Sequence, residues 1–230
     1  MSSNCPVAPA GARPLVVQTE ELPRGRVLFR FHKNSATYPA NSFNPNTGMR
    51  IELPEQGARF NPFPGAPAAN IATLYAADTL TAAALESVFH DVAHTPSPEY
   101  PRMRLAEWSY SRLRTKRALV LFKLVNPQLR PIACPGRLES ITEAELIHTP
   151  VSEYPNTRLW ARYFHDSLPL LDGLAWRPRL GGIGTAFVFF GDRCDGELEV
   201  DSSPVSVAHG QGLTKITTIA DRAMIDIKDT

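Results

Sequence analysis

Ala72 to Asp91 reads ATLYAADTLTAAALESVFHD. Its first residues, Ala72 to Ala76, suit a short strand. The chain breaks at Asp78. There Asp78 or Thr79 can cap a helix by accepting from the free N–H groups of its first turn. Ala82, Ala83, Leu85, Val88 and Phe89 recur at helical spacing and predict a helix that runs on towards Asp91. Glu86 falls inside this apolar pattern. A carboxylate there reaches solvent, pairs with a cation or is kept for chemistry, because desolvating an unpaired charge is costly. Kept for chemistry, it should be neutralised without harm to the fold. Paired with Arg30 or Arg59, it should not.

The flanking segments extend this strand-to-helix step into an α+β domain. Val27 to Phe31 (VLFRF) predicts an early strand, Ala118 to Val125 (ALVLFKLV) a buried one, and Thr185 to Phe190 (TAFVFF) a third. Short strands are expected at Leu198–Val200 and Val205–Val207. Asn156 to Ser167 predicts a second clear helix through Leu159, Trp160, Tyr163 and Phe164. Thr142 with Glu145 has capping-box spacing. The tail from Lys215 fits strand or helix. Residues 1–24, rich in Pro, Ala and Ser, read as a loose N-terminal arm. Residues 25–230 then form one catalytic domain with a β-rich core, two main helices and long loops. The loop over residues 33–58 is polar and aperiodic, a length that usually signals function or disorder.

The composition narrows the function. The 230 residues carry 24 basic and 23 acidic side chains, a net charge of +1, and 21 prolines. A chain this balanced lacks the electrostatic footprint of a nucleic-acid binder. Three widely spaced cysteines without a CxxC pair argue for a reducing compartment and against structural zinc. There is no signal-peptide pattern and no apolar run of membrane length. A cytoplasmic protein with no membrane segment is expected, and a homo-oligomer is compatible with the sequence.

Three motifs compete for attention and lose on context. His90 and His94 in HDVAH share the spacing of zinc ligands on a helix, but Asp91 stands where the general-base Glu would be, and no third ligand is evident. The expectation is no metal. The glycines at 181, 182 and 184 precede a strand, whereas a dinucleotide fingerprint follows one; a tight turn facing a cleft is the reading that stands. Arg102 to Arg117 interleaves basic and aromatic residues, which suits single-stranded nucleic acid. A solvated helix face with its aromatics turned inward fits the neutral chain better.

A dispersed set carries more chemistry: Arg30, Arg59, Tyr75 and Glu86. Cleaving a nicotinamide–ribose bond builds an oxocarbenium-like cation, which a carboxylate can stabilise. Arginines can neutralise a pyrophosphate, and an aromatic can stack on the nicotinamide.

These residues stand in motifs that resemble the RES-domain family. The chain has FRF at Phe29 to Phe31, GARFNP at Gly57 to Pro62 and TLYAAD at Thr73 to Asp78, with Glu86 eleven residues beyond Tyr75. TRLWA, Asp172-Gly173 and GGIG follow in the family's order, so the resemblance covers roughly residues 25–200. It implies a fold similar to that of the ADP-ribosyltransferases and an enzyme that degrades NAD⁺ with phosphate or water as acceptor. NAD⁺ is then a substrate, inorganic phosphate a co-substrate, and no cofactor is needed. The resemblance also implies a bacterial toxin neutralised by a small helix-turn-helix antitoxin. A protein ADP-ribosyltransferase and a weakly active nucleotide- or partner-binding module are the alternatives. By resemblance Glu86, Arg30 and Tyr75 are catalytic, while Arg59, Phe31, Phe60, Thr157, Gly181 and Gly182 bind substrate. The family's serine falls at Thr157, which keeps a hydroxyl. Where other members have a Y-R-S-R-like stretch, Pro178 takes the place of the Ser.

Overall fold

The structure, a computed structural model, describes residues 4–35, 38–65, 69–90, 92, 97–178 and 184–229. Along the described chain run β1 (Thr19–Leu22), β2 (Val27–Lys33), β3 (Thr73–Ala77), α1 (Leu80–Leu85), β4 (Glu99–Pro101), β5 (Trp108–Thr115) and β6 (Leu119–Lys123). After these come α2 (Glu143–Ile147), α3 (Tyr154–Ser167), β7 (Gly173–Trp176), β8 (Ala186–Phe190), α4 (Gly191–Cys194), β9 (Leu198–Val200), β10 (Val205–Ser206), α5 (Gly210–Arg222) and β11 (Asp226–Lys228).

Nine of the described strands form one mixed sheet in the order β1-β6-β7-β8-β3-β2-β5-β10, with β9 also on β5. Only β6 and β7 pair in parallel; the other neighbours are antiparallel. A separate parallel pair joins β4 to β11. The fold is thus α+β, a multi-stranded sheet flanked by helices.

Strand alternation sorts the core. Leu28, Leu74, Ala76, Phe187 and Phe189 pack on one face. The opposite face carries two clusters. Over β6, β7 and β8, the α3 residues Trp160 and Phe164 pack on Phe122, Leu174 and Val188. Over β2 and β5, α1 and α5 pack on Phe31 and Tyr110. Between the clusters the central strands part. β2 and β5 hold register over seven residues, whereas β2 and β3 share the single register pair Phe29–Ala77. Beyond that pair the β2–β3 ladder ends, and Arg30, Phe31, Tyr75 and Ala83 of α1 line a small hollow.

Several expectations need correction. The helix after β3 stops at Leu85, short of Asp91. Thr79 caps its start, accepting from the Ala82 N–H at 3.1 Å, while Asp78 accepts from Thr185 N–H of the neighbouring chain at 2.7 Å. The Ser87 hydroxyl then bonds back to the Ala83 carbonyl, competing with the helical ladder. Glu86 becomes the C-terminal cap, and Val88 and Phe89 are buried in a turn.

Residues 4–24 are not a loose arm. β1 pairs along β6, Cys5 and Ala8 enter the core, and the buried Trp160 indole donates to the Pro6 carbonyl at 2.7 Å. A buried indole N–H needs an acceptor, and the arm provides it. Nor is Arg102–Arg117 a helix. It is a 3-10 turn (Arg102–Glu107) followed by β5. Four of its six basic residues make ion pairs: Arg112 and Arg114 with Asp201, Arg117 with Asp172, and Arg102 with Asp229. The ambiguous tail forms α5 and β11. Among the described residues no helix is long and apolar enough to cross a membrane.

Candidate active site

The opening between β2 and β3 leads into a cleft of about 540 Å³. Phe31, Arg59, Tyr75, Glu86, His90, Trp108 and Tyr154 are among its walls. A smaller hollow adjoins it, lined by Arg30, Phe31, Tyr75, Glu86 and Trp176. Arg59, Tyr75 and Glu86, separate in sequence, are brought together, with Arg30 in the adjoining hollow.

Glu86 reaches the cleft because α1 ends there. Its Oε2 lies 3.7 Å from the Arg59 guanidinium, and only 3% of the Arg59 side chain and 11% of the Glu86 side chain are exposed. The Trp176 indole N–H donates to the same oxygen at 3.2 Å. At 3.7 Å the charges attract without a well-formed hydrogen bond. Nε of Arg59 is buried without a hydrogen-bond partner among the described residues.

The turn that presents Arg59 is built from both sides. Gly57 has φ +99°, and a Cβ there would collide with the Asn61 carbonyl, so only glycine fits. The Ala58 and Asn61 backbones bond to each other. The Tyr75 hydroxyl accepts from the Phe60 N–H at 3.2 Å. Burial pushes the Tyr75 phenol far above its usual range and keeps it neutral. Asn61 donates to the buried Asn46 at 2.7 Å, and Asn46 donates to the Ile71 carbonyl at 2.7 Å. Asparagines therefore order this part of the long polar loop and tie it to the approach of β3.

The first turn of α3 supports the other side. The Arg158 guanidinium, fully buried, donates to the carbonyls of Ile51, Leu53, Pro54 and Ala58 at 2.8–3.0 Å. Burial draws it below the usual arginine range. Tyr154 lies 5.5 Å from the Arg59 guanidinium, ring centre to carbon, which suits a cation–π contact. The Tyr154 hydroxyl meets the His90 ring at 3.1 Å. Sequence reasoning missed Arg158, Tyr154 and Trp176. The signal for Arg158 was an arginine beside Leu159 and Trp160 on a helix whose other face had to be buried.

The remaining sequence-derived residues fall elsewhere. Arg30 donates to the carbonyls of Ala40 and Ser42 at 2.8 and 2.7 Å, and burial lowers it to about 10. Phe60 is wholly buried, edge-on to Trp176 at 5.2 Å between ring centres, and stands behind the cleft, not in its wall. Thr157 is likewise fully buried; its hydroxyl lies against the Arg59 and Tyr154 carbonyls. It holds the turn, and a phosphate has no access to it in this arrangement. Asp172 receives both Arg117 nitrogens at 2.7–2.8 Å, and Gly173 lets β7 approach β8 closely, so this pair shapes the sheet. Gly181 and Gly182 lie outside the described residues, as does His94. Among the described residues no group of three or more His, Cys, Asp or Glu could hold a metal ion.

No curated protein matches the chain. The model of the RES domain matches residues 27–208, from the start of β2 to just beyond β10, and so spans the whole of the cleft. With that match covering most of its length, the chain belongs to the RES-domain family.

Proposed function

We propose that this protein cleaves the nicotinamide–ribose bond of NAD⁺, with inorganic phosphate or water as acceptor. The observation that carries the reading is the Arg59–Glu86 pair, set with Tyr75 in the wall of a cleft. A cleft of this size lies within the range of small-molecule sites, about 300–1,000 Å³. The family supports the reading in general terms. The parting of β2 and β3 beneath a short helix supports a relation to the ADP-ribosyltransferase fold.

The chemistry follows from charge. The C1′–N bond breaks, and its electron pair leaves with nicotinamide, which becomes neutral. The ribose takes on oxocarbenium character, and the Glu86 carboxylate stabilises the developing cation more than it stabilises bound NAD⁺. An oxygen of phosphate or water then forms the new bond to C1′; when water attacks, its proton passes to solvent. Tyr75 and Phe31 supply apolar surface for the nicotinamide. Arg59 lies beside Glu86 as its counter-charge and orients the carboxylate in the cleft wall.

The same reading makes the protein a toxin whose cleft a small helix-turn-helix antitoxin covers. A second reading has a specific observation behind it. Arg30 is committed to backbone carbonyls and Arg59 to Glu86, which takes both guanidiniums away from a pyrophosphate and favours a module that holds a partner without turnover. Incubating the purified protein with NAD⁺, with and without phosphate, and identifying the products separates them. Nicotinamide with ADP-ribose, or with its phosphorylated form when phosphate is present, is expected. NAD⁺ left intact under both conditions refutes the enzyme.

A further inference from the structure

We infer that Trp176 is a positioning residue for Glu86, acting through its indole N–H. The inference rests on the proposed NAD⁺ cleavage only for its kinetic consequence; the contact itself stands apart from it. Trp176 ends β7 and is fully buried. Its register partner on β8 is Ala186, whose partner on β3 is Ala77. Two alanines in neighbouring strands leave room for the indole to lie across the sheet towards the end of α1. The ring meets Phe60 edge-on at 5.2 Å and Tyr75 at 6.0 Å between centres. Wedged between them, it has little freedom to turn.

An indole has one donor and no acceptor. Buried here, that donor is directed at Oε2 of Glu86 at 3.2 Å. Arg59 approaches the same oxygen only to 3.7 Å. The shorter and more directional contact is therefore the neutral one. Trp176 also packs on Phe60, the residue after Arg59, and on Tyr75, whose hydroxyl holds the Phe60 N–H. One ring thus touches the carboxylate directly and braces the turn that carries its counter-charge. A carboxylate at the end of a six-residue helix, followed by a turn, needs such a brace to keep one orientation.

Trp176→Phe keeps most of the ring and removes the N–H. The expected result is a fall in kcat of about 10-fold, since small misplacement of a reacting group is costly, with KM for NAD⁺ nearly unchanged. In a Glu86→Gln background the same substitution should change kcat by less than about twofold, because residues acting through one another are not additive. Equal losses in both backgrounds would make Trp176 a packing residue and overturn the inference. A readout without turnover accompanies the kinetics. The indole N–H resonance of Trp176, assigned by elimination with Trp108→Phe and Trp160→Phe, should move upfield in Glu86→Gln as its acceptor loses charge. An unmoved resonance overturns the contact, and this arm decides the matter if Trp176→Phe does not fold. Should the parent protein leave NAD⁺ intact, the proposed function fails, while the indole resonance still decides whether Trp176 holds Glu86.

Discussion

Glu86→Gln keeps the shape of the side chain and removes its charge. The partner left behind is the Arg59 guanidinium, 3.7 Å away with 3% of its side chain exposed. At an effective dielectric constant of about 20, two unit charges at that distance attract by roughly 4.5 kcal/mol. Removing one partner of a buried pair typically costs about 3–5 kcal/mol. The glutamine oxygen still accepts from Trp176 and presents a dipole to Arg59, so a net loss of about 2–3 kcal/mol is expected. For a chain of this size each kcal/mol moves Tm by about 2–4 °C. The variant should therefore melt roughly 5–10 °C below the parent. Turnover should fall about 10²–10³-fold, the usual effect of losing one preorganised electrostatic group, with KM for NAD⁺ little changed. Thermal melts followed by circular dichroism and nicotinamide release followed by chromatography measure the two effects. A variant that melts at or above the parent would refute the pairing argument. Undiminished turnover in the folded variant would remove Glu86 from the chemistry.

Other predictions test the supports of the cleft. Arg158→Met strips donors from four carbonyls of residues 51–58 and should destabilise the protein by about 3 kcal/mol or more. Amide exchange should speed up in that segment first, and unchanged protection there would dismiss the clamp. Thr157→Val should cost about 1 kcal/mol through the lost contact with the Arg59 carbonyl, seen as a lower Tm with KM unchanged. A raised KM at unchanged Tm would restore a direct substrate contact. The Arg137 side-chain bonds hold the Glu145 carboxyl below its usual range, more than burial raises it. That stability is present above the unfolded value near 4.5 and is lost as pH falls through the lower folded value. Glu145→Gln should therefore flatten the acid limb of a denaturation curve measured against pH. An acid limb as steep as the parent's would show that the Arg137 pair contributes nothing.

Local patterns were legible wherever neighbours in sequence set the outcome. The apolar runs became β6 and β8, the Thr142–Glu145 spacing became a capping box with both bonds made, and Thr79 took one of the two capping roles open to it. The motif order FRF, GARFNP, TLYAAD and the distance from Tyr75 to Glu86 pointed to the family that the domain model matches. Propensities and caps act over a few residues, so one strand of sequence contains the information they need.

Tertiary structure decided what lies between distant segments. The pattern through Val88 and Phe89 marks both as buried but does not show that they are buried in a turn, and it is the turn that delivers Glu86 to the cleft. Three cationic or donor groups compete for one carboxylate, and the sheet selects Arg59 and Trp176 over Arg30, which is turned to the Ala40 and Ser42 carbonyls. Residues of the presumed loose arm became a strand and core because Trp160 and β6 needed partners. α5 stayed ambiguous between helix and strand because Ile216, Thr217, Thr218 and Ile219 favour a strand by propensity, yet Ile216 and Ile219 bury against the α1 side of the core. In each case the deciding energy is burial or charge pairing between segments far apart in the chain, and those terms exist only once the chain has folded.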